Sequence, residues 1–146
     1  MRRSSLFFVF LVIIGFVFTS ESMADDTHGV SQRHFVGLWQ AIDVFDGSTQ
    51  RLSITCARGK SCDVRLNDTA FTLSCENQIG IARGVGSITR HVLTVELTLY
   101  CSNLDGTSTL AGTQVNEFVL DRKNRTLTNI NDDPLPAPNV FHRISQ

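Results

Sequence analysis

From His91 to Cys101 the chain alternates with a period of two: Leu93, Val95, Leu97 and Leu99 fall on one side, Thr94, Glu96, Thr98 and Tyr100 on the other. This is the pattern of a strand with one face buried and one face wet. Leu52 with Ile54, Val64 with Leu66, and Phe71 with Leu73 repeat it in three further segments. The separators Arg58-Gly59-Lys60 and Asn67-Asp68 are short enough for hairpin turns. Asp46-Gly47, Asn103-Leu104-Asp105-Gly106 and Arg122-Lys123-Asn124 are further turn signals, and nothing after Phe35 sustains a helical period. The pattern predicts an all-β fold of about eight or nine strands in an antiparallel, up-and-down meander. Closure into a barrel would remove its exposed edges.

Where the alternation carries a polar residue inward, a binding site is expected. If Trp39 faces inward, the period sends Ala41 and Asp43 the same way. In the next glycine-rich segment, Ile79, Ile81 and Val85 would carry Arg83 to the inner face. Asp43 and Arg83 would then satisfy each other, or Arg83 would meet a ligand carboxylate, with Gln114 and Asn116 offering neutral hydrogen bonds. Gly80, Gly84 and Gly86 leave a second reading open, a register shift that returns Arg83 to solvent. Asp132-Asp133-Pro134-Leu135-Pro136-Ala137-Pro138 lacks too many ladder donors for a central strand. It reads as a stiff crossing loop that delivers residues 139–144 back against the start of the barrel.

Arg2 and Arg3, the apolar run from Leu6 to Phe18, and Ser22-Met23-Ala24 form a secretory signal peptide pattern. The run is shorter than the roughly 20 residues that span a bilayer. The expected organisation is residues 1–24 as signal peptide, 25–34 as a flexible polar arm and 35–146 as one barrel domain, secreted or periplasmic, with no stable membrane insertion after cleavage. In that compartment the four cysteines read as disulfides, for which three pairings exist. With strands running alternately up and down and the segments around Val64 and Phe71 counted separately, Cys56, Cys62, Cys75 and Cys101 all fall at one end. Pairing Cys56 with Cys62 and Cys75 with Cys101 would staple that end. The other mouth, ringed by residues 46–49, Asn67-Asp68, Thr89-Arg90 and residues 121–124, would admit a ligand.

Gly37-Leu38-Trp39 resembles the Gly-x-Trp signature of the lipocalin and wider calycin families. The resemblance implies an up-and-down barrel that binds hydrophobic ligands or proteins, with Gly37 and Trp39 at its closed end. In that family a basic residue near the chain end packs across the tryptophan. Arg143 in Val140-Phe141-His142-Arg143-Ile144 matches it by position, and a guanidinium over an indole is a favourable stack.

With 13 basic and 14 acidic side chains and a net charge of −1, the chain carries no bulk field for nucleic acid. Gly84-Val85-Gly86 is followed by strand-like residues, unlike a phosphate loop. There is no Gly-x-Ser-x-Gly elbow and no His-Glu-x-x-His helix, and Cys56-x5-Cys62 lacks the knuckle spacing of structural zinc. His28 and His34 lie in the arm with Asp25 and Asp26, while His91 and His142 fall on separate strands. The expectation is therefore a non-enzymatic binding protein without metal or cofactor, holding a small, largely apolar ligand. The alternative is a protein-binding barrel, such as an inhibitor of a secreted hydrolase acting through its loops or its arm. In layout it resembles the small bacterial metalloprotease inhibitors, which join such a barrel to an extended amino-terminal arm.

Overall fold

The computed structural model describes residues 32–57, 61–71, 74–76, 78–131 and 138–145. The leader, residues 25–31 of the arm, Arg58-Gly59-Lys60, Leu73 and residues 132–137 of the proline-rich segment lie outside the described residues. Eight strands follow in order: β1 (Gly37–Ile42), β2 (Thr49–Cys56), β3 (Ser61–Phe71), β4 (Gln78–Thr89), β5 (Val92–Ser102), β6 (Ser108–Asp121), β7 (Thr126–Asn129) and β8 (Val140–Ser145). Each pairs antiparallel with its neighbour, and β8 returns to β1 to close the barrel. Closure covers most of the strand edges, although β6 meets β7 only over Phe118–Asp121. The alternation along β5 places Leu93, Val95 and Leu97 in the interior and Glu96 outside.

One end of the barrel is solid. Trp39, Phe35, Phe118, Phe141, Leu52, Ile54, Leu93 and Leu127 are completely buried there and in the wall above it. Phe118 and Phe141 meet edge to face, with centroids 5.9 Å apart and planes at 77°, a favoured aromatic geometry. A 3-10 turn, Gln32–His34, precedes β1. It brings Phe35 beneath the barrel, where its carbonyl accepts a 2.8 Å hydrogen bond from Trp39 Nε1. The register sets Trp39 opposite Arg143. The guanidinium carbon lies 4.4 Å from the centroid of the indole, and Nη2 donates to the His34 carbonyl. Burial first, and the like charge of Arg125 second, lower the Arg143 pKa from its ordinary value.

Three details differ from the alternation reading. The first concerns Asn67-Asp68, which is no turn but lies inside β3, paired with Arg51 and Gln50 on β2 and with Ile81 and Gly80 on β4. Counting it as a turn inverts the direction of every later strand. The cysteines pair as Cys56–Cys62 and Cys75–Cys101, but at opposite ends. Cys56–Cys62 joins the end of β2 to the start of β3 on the closed side. Cys75–Cys101 ties the β3–β4 connection to the end of β5 on the open side. For the same reason Thr89-Arg90 and residues 121–124 lie at the closed end, not around the mouth.

The third detail is β4, which keeps its period without a bulge and presents Ala82, Gly84 and Gly86 inward, opposite Leu66, Val64 and Cys62. A Cβ on Gly84 would overlap the Glu96 carbonyl, and one on Gly86 would press on Leu93 and Val95. Small residues are needed there because β5 supplies the bulk. Arg83 therefore points outward, between Arg65 and Thr98, and Ile79 and Val85 are exposed.

Candidate functional site

Opposite the packed base the barrel holds a cavity of about 440 Å³. Its apolar wall comes from inward positions of three strands: Leu66 on β3, Ala82 on β4, and Leu97 with Leu99 on β5. The register explains the volume. Ala82 is small where it faces Leu66 and Leu99, and Leu99 in turn faces Gly112. Among the described residues no large side chain fills this level as Trp39 and the phenylalanines fill the base.

The remaining wall is polar. Gln50 continues the inward period of Leu52 and Ile54, and Asp68 continues that of Val64 and Leu66. The Gln50 amide Nε2 donates to Asp43 Oδ2 at 2.6 Å and to Asp68 Oδ2 at 3.0 Å. Asp68 Oδ1 also accepts from the Ala70 amide at 3.1 Å. Asn139, just before β8, donates to Gln50 Oε1 at 3.2 Å and to Asp43 Oδ2 at 3.4 Å. Asp43 Oδ1 accepts from the Phe45 amide at 2.7 Å, and Asn139 Oδ1 accepts from the Val44 amide at 3.1 Å. Gln50, Asp68 and Asn139 are buried, and a buried polar group survives in a fold when it is paired in this way. The network joins the β1–β2 turn, β2, β3 and the entry to β8.

A second polar cluster sits on the β6–β7 side. Asn116 Oδ1 accepts from Asn131 Nδ2 at 2.7 Å and from Asn129 Nδ2 at 3.3 Å, and Asn116 Nδ2 donates to the Gln114 carbonyl at 3.3 Å. Gln114 lines the same cavity from an exposed position.

Of the residues expected at a site, Asp43, Gln114 and Asn116 line this cavity and Arg83 does not. The expected Asp43–Arg83 pair is absent: Asp43 meets Gln50 and Asn139, and Arg83 lies on the outer surface. Sequence reasoning missed Gln50, Asp68, Asn129, Asn131 and Asn139. For Gln50 the signal was its place two residues before Leu52. For Asp68 it was its place two residues after Leu66, hidden by reading Asn67-Asp68 as a turn. Among the described residues, no three His, Cys, Asp or Glu side chains gather as a metal site, and all four cysteines are in disulfides. No helix among the described residues is long and apolar enough to cross a membrane. The two disulfides fit an oxidising compartment. Compared with protein-family models, curated proteins and solved structures, the chain shows no match.

Proposed function

We propose that this protein is an exported, non-catalytic β-barrel that binds a small, largely apolar molecule in the open-ended cavity. The observation that carries the reading is the cavity itself. Its 440 Å³ fall within the range of about 300–1,000 Å³ typical of small-molecule sites, and an apolar wall with a few convergent polar groups is their usual lining. The signal peptide pattern and the disulfides support export. The stack of Arg143 on Trp39, following Gly37-Leu38-Trp39, supports a lipocalin-like arrangement in which one end is plugged and the other receives the ligand. Among the described residues no histidine, lysine, arginine or cysteine lines the cavity, so Ser74 and Thr113 there have no basic partner among them for nucleophilic work. Arg51, Asp63, Arg65, Arg83 and Glu96 on the outer face are exposed, where a lipid-facing barrel carries an apolar band.

A second reading, a barrel that grips a secreted protein through its loops, is favoured by one feature. Leu104 is fully exposed in the β5–β6 turn, and Val44 and Phe45 are about half exposed in the β1–β2 turn of the same end. Native mass spectrometry of the protein recovered from its own export compartment separates the two. An added mass that is lost on denaturation is the expected result and identifies the ligand class. A bare, oxidised chain from every preparation turns the assignment to the protein-binding reading.

A further inference from the structure

The hydrogen-bond inventory of the cavity's polar wall constrains what it accepts. Both Nε2 hydrogens of Gln50 are committed, to Asp43 and to Asp68, and both Nδ2 hydrogens of Asn139 are committed, to Gln50 and to Asp43. The carboxyl groups keep acceptor positions open, although Asp43 already accepts from Phe45, Gln50 and Asn139. A carboxylate offers about four acceptor positions. Asp68 fills two of them, with the Gln50 side chain and the Ala70 amide. Its side chain is only 2% exposed, and both of its partners are neutral.

A buried carboxylate held by amides alone lacks the counter-charge that repays its desolvation, and among the described residues no Lys, Arg or His lines the cavity to provide one. Beside this wall Ser48, whose carbonyl accepts from the Asp43 amide, buries its hydroxyl without a hydrogen-bond partner. Among the described lining residues the carboxylates of Asp43 and Asp68 have no cation beside them, and Leu66, Leu97 and Leu99 line the same space of ligand size.

We propose that the cavity selects a cationic amphiphile, with a protonated amine donating to Asp43 and Asp68 while its aliphatic body lies against Leu66, Leu97 and Leu99. This rests on the cavity-binding reading and narrows it. An anionic ligand is disfavoured, because the carboxyl groups of Asp43, Asp46 and Asp68 line the space it would enter and the cation expected to greet it, Arg83, is on the outside of the barrel.

The test is calorimetric titration of the oxidised protein at neutral pH with three probes of equal chain length: octylamine, octanol and octanoate. Octylamine is expected to bind one site about tenfold or more tighter than octanol, with octanoate weaker than both, since close charge pairs at desolvated interfaces are worth at least that factor. Asp43→Asn and Asp68→Asn should each weaken octylamine by about tenfold and leave octanol unchanged. Arg83→Ala should change none of the three. Should Asp68→Asn fail to fold, judged by Trp39 fluorescence, Asp43→Asn and a salt series decide: added salt weakens octylamine and spares octanol. Octanol or octanoate binding as tightly as octylamine would overturn the amine assignment and leave the cavity reading in place. Binding of none of the three would remove both.

Discussion

Arg143 closes the barrel with one side chain. Its guanidinium lies over Trp39 and bonds the His34 carbonyl, so it fastens the 3-10 turn, β1 and β8 together. A partly desolvated cation over an indole contributes about 1–2 kcal/mol. Arg143→Ala is expected to cost about 1–3 kcal/mol once the lost hydrogen bond is included. Urea unfolding checks the magnitude. A red shift of the emission of Trp39, the chain's single tryptophan, checks that the base has opened. Arg143→Lys should recover part of the loss, because it keeps the charge without the planar stack. The positions of Trp39, Ala41 and Asp43 were readable from period two. Arg83 was not. Periodicity assigns the apolar side of a strand to the core, and on β4 that choice favours Ile79, Ile81 and Val85. The interior there wants small residues, and glycine leaves no hydrophobic signal of its own.

At the scale of elements, β3 shows how turn chemistry misleads. Asn and Asp favour turns because their side chains bond the nearby backbone, and Asp68 does bond the Ala70 amide two residues on. Pairing with β2 and β4 nevertheless carries the strand through it, with a register shift against β4 between Asp68 and Phe71, and its inward alternation puts the carboxyl in the cavity wall. The β6–β7 turn behaves as its sequence suggests. Asp121 accepts from the backbone of Lys123 at 2.8 Å and of Asn124 at 3.0 Å, and from Asn124 Nδ2 at 2.6 Å. The Asn124 backbone bond, then its side chain and Lys123, hold the Asp121 carboxyl below the ordinary carboxylate range. A depressed pKa in the folded state contributes stability above the unfolded pKa, and the contribution is lost as pH falls through the folded one. Wild type should therefore exceed Asp121→Asn in urea midpoint at pH 7, and the gap should shrink from about pH 5 downward. A gap that is constant between pH 7 and pH 3 would remove the carboxylate's role in this turn.

At the scale of the molecule, the two disulfides brace opposite ends and close chain loops of unequal length. Cys56 and Cys62 are separated by 6 residues, Cys75 and Cys101 by 26. In the chain-entropy account the longer loop is worth ~3.5 kcal/mol and the shorter ~2 kcal/mol. Replacing Cys75 and Cys101 by alanine should thus lower the urea unfolding free energy more than replacing Cys56 and Cys62. The all-β architecture and the closure were legible in the chain, because alternation and turn residues are local properties; both expected cysteine pairs formed, although the single end assigned to all four was wrong. Which end each disulfide braces was not legible, since one misread turn reverses the direction of all strands after it. The cavity belongs to the tertiary structure alone. Its volume depends on which small residue of β4 faces which leucine of β3 and β5, and its polar wall on bringing Asp43, Gln50, Asp68 and Asn139 together from four separate segments. Local sequence specifies the faces of strands, but only register and closure decide which faces meet and what space they leave.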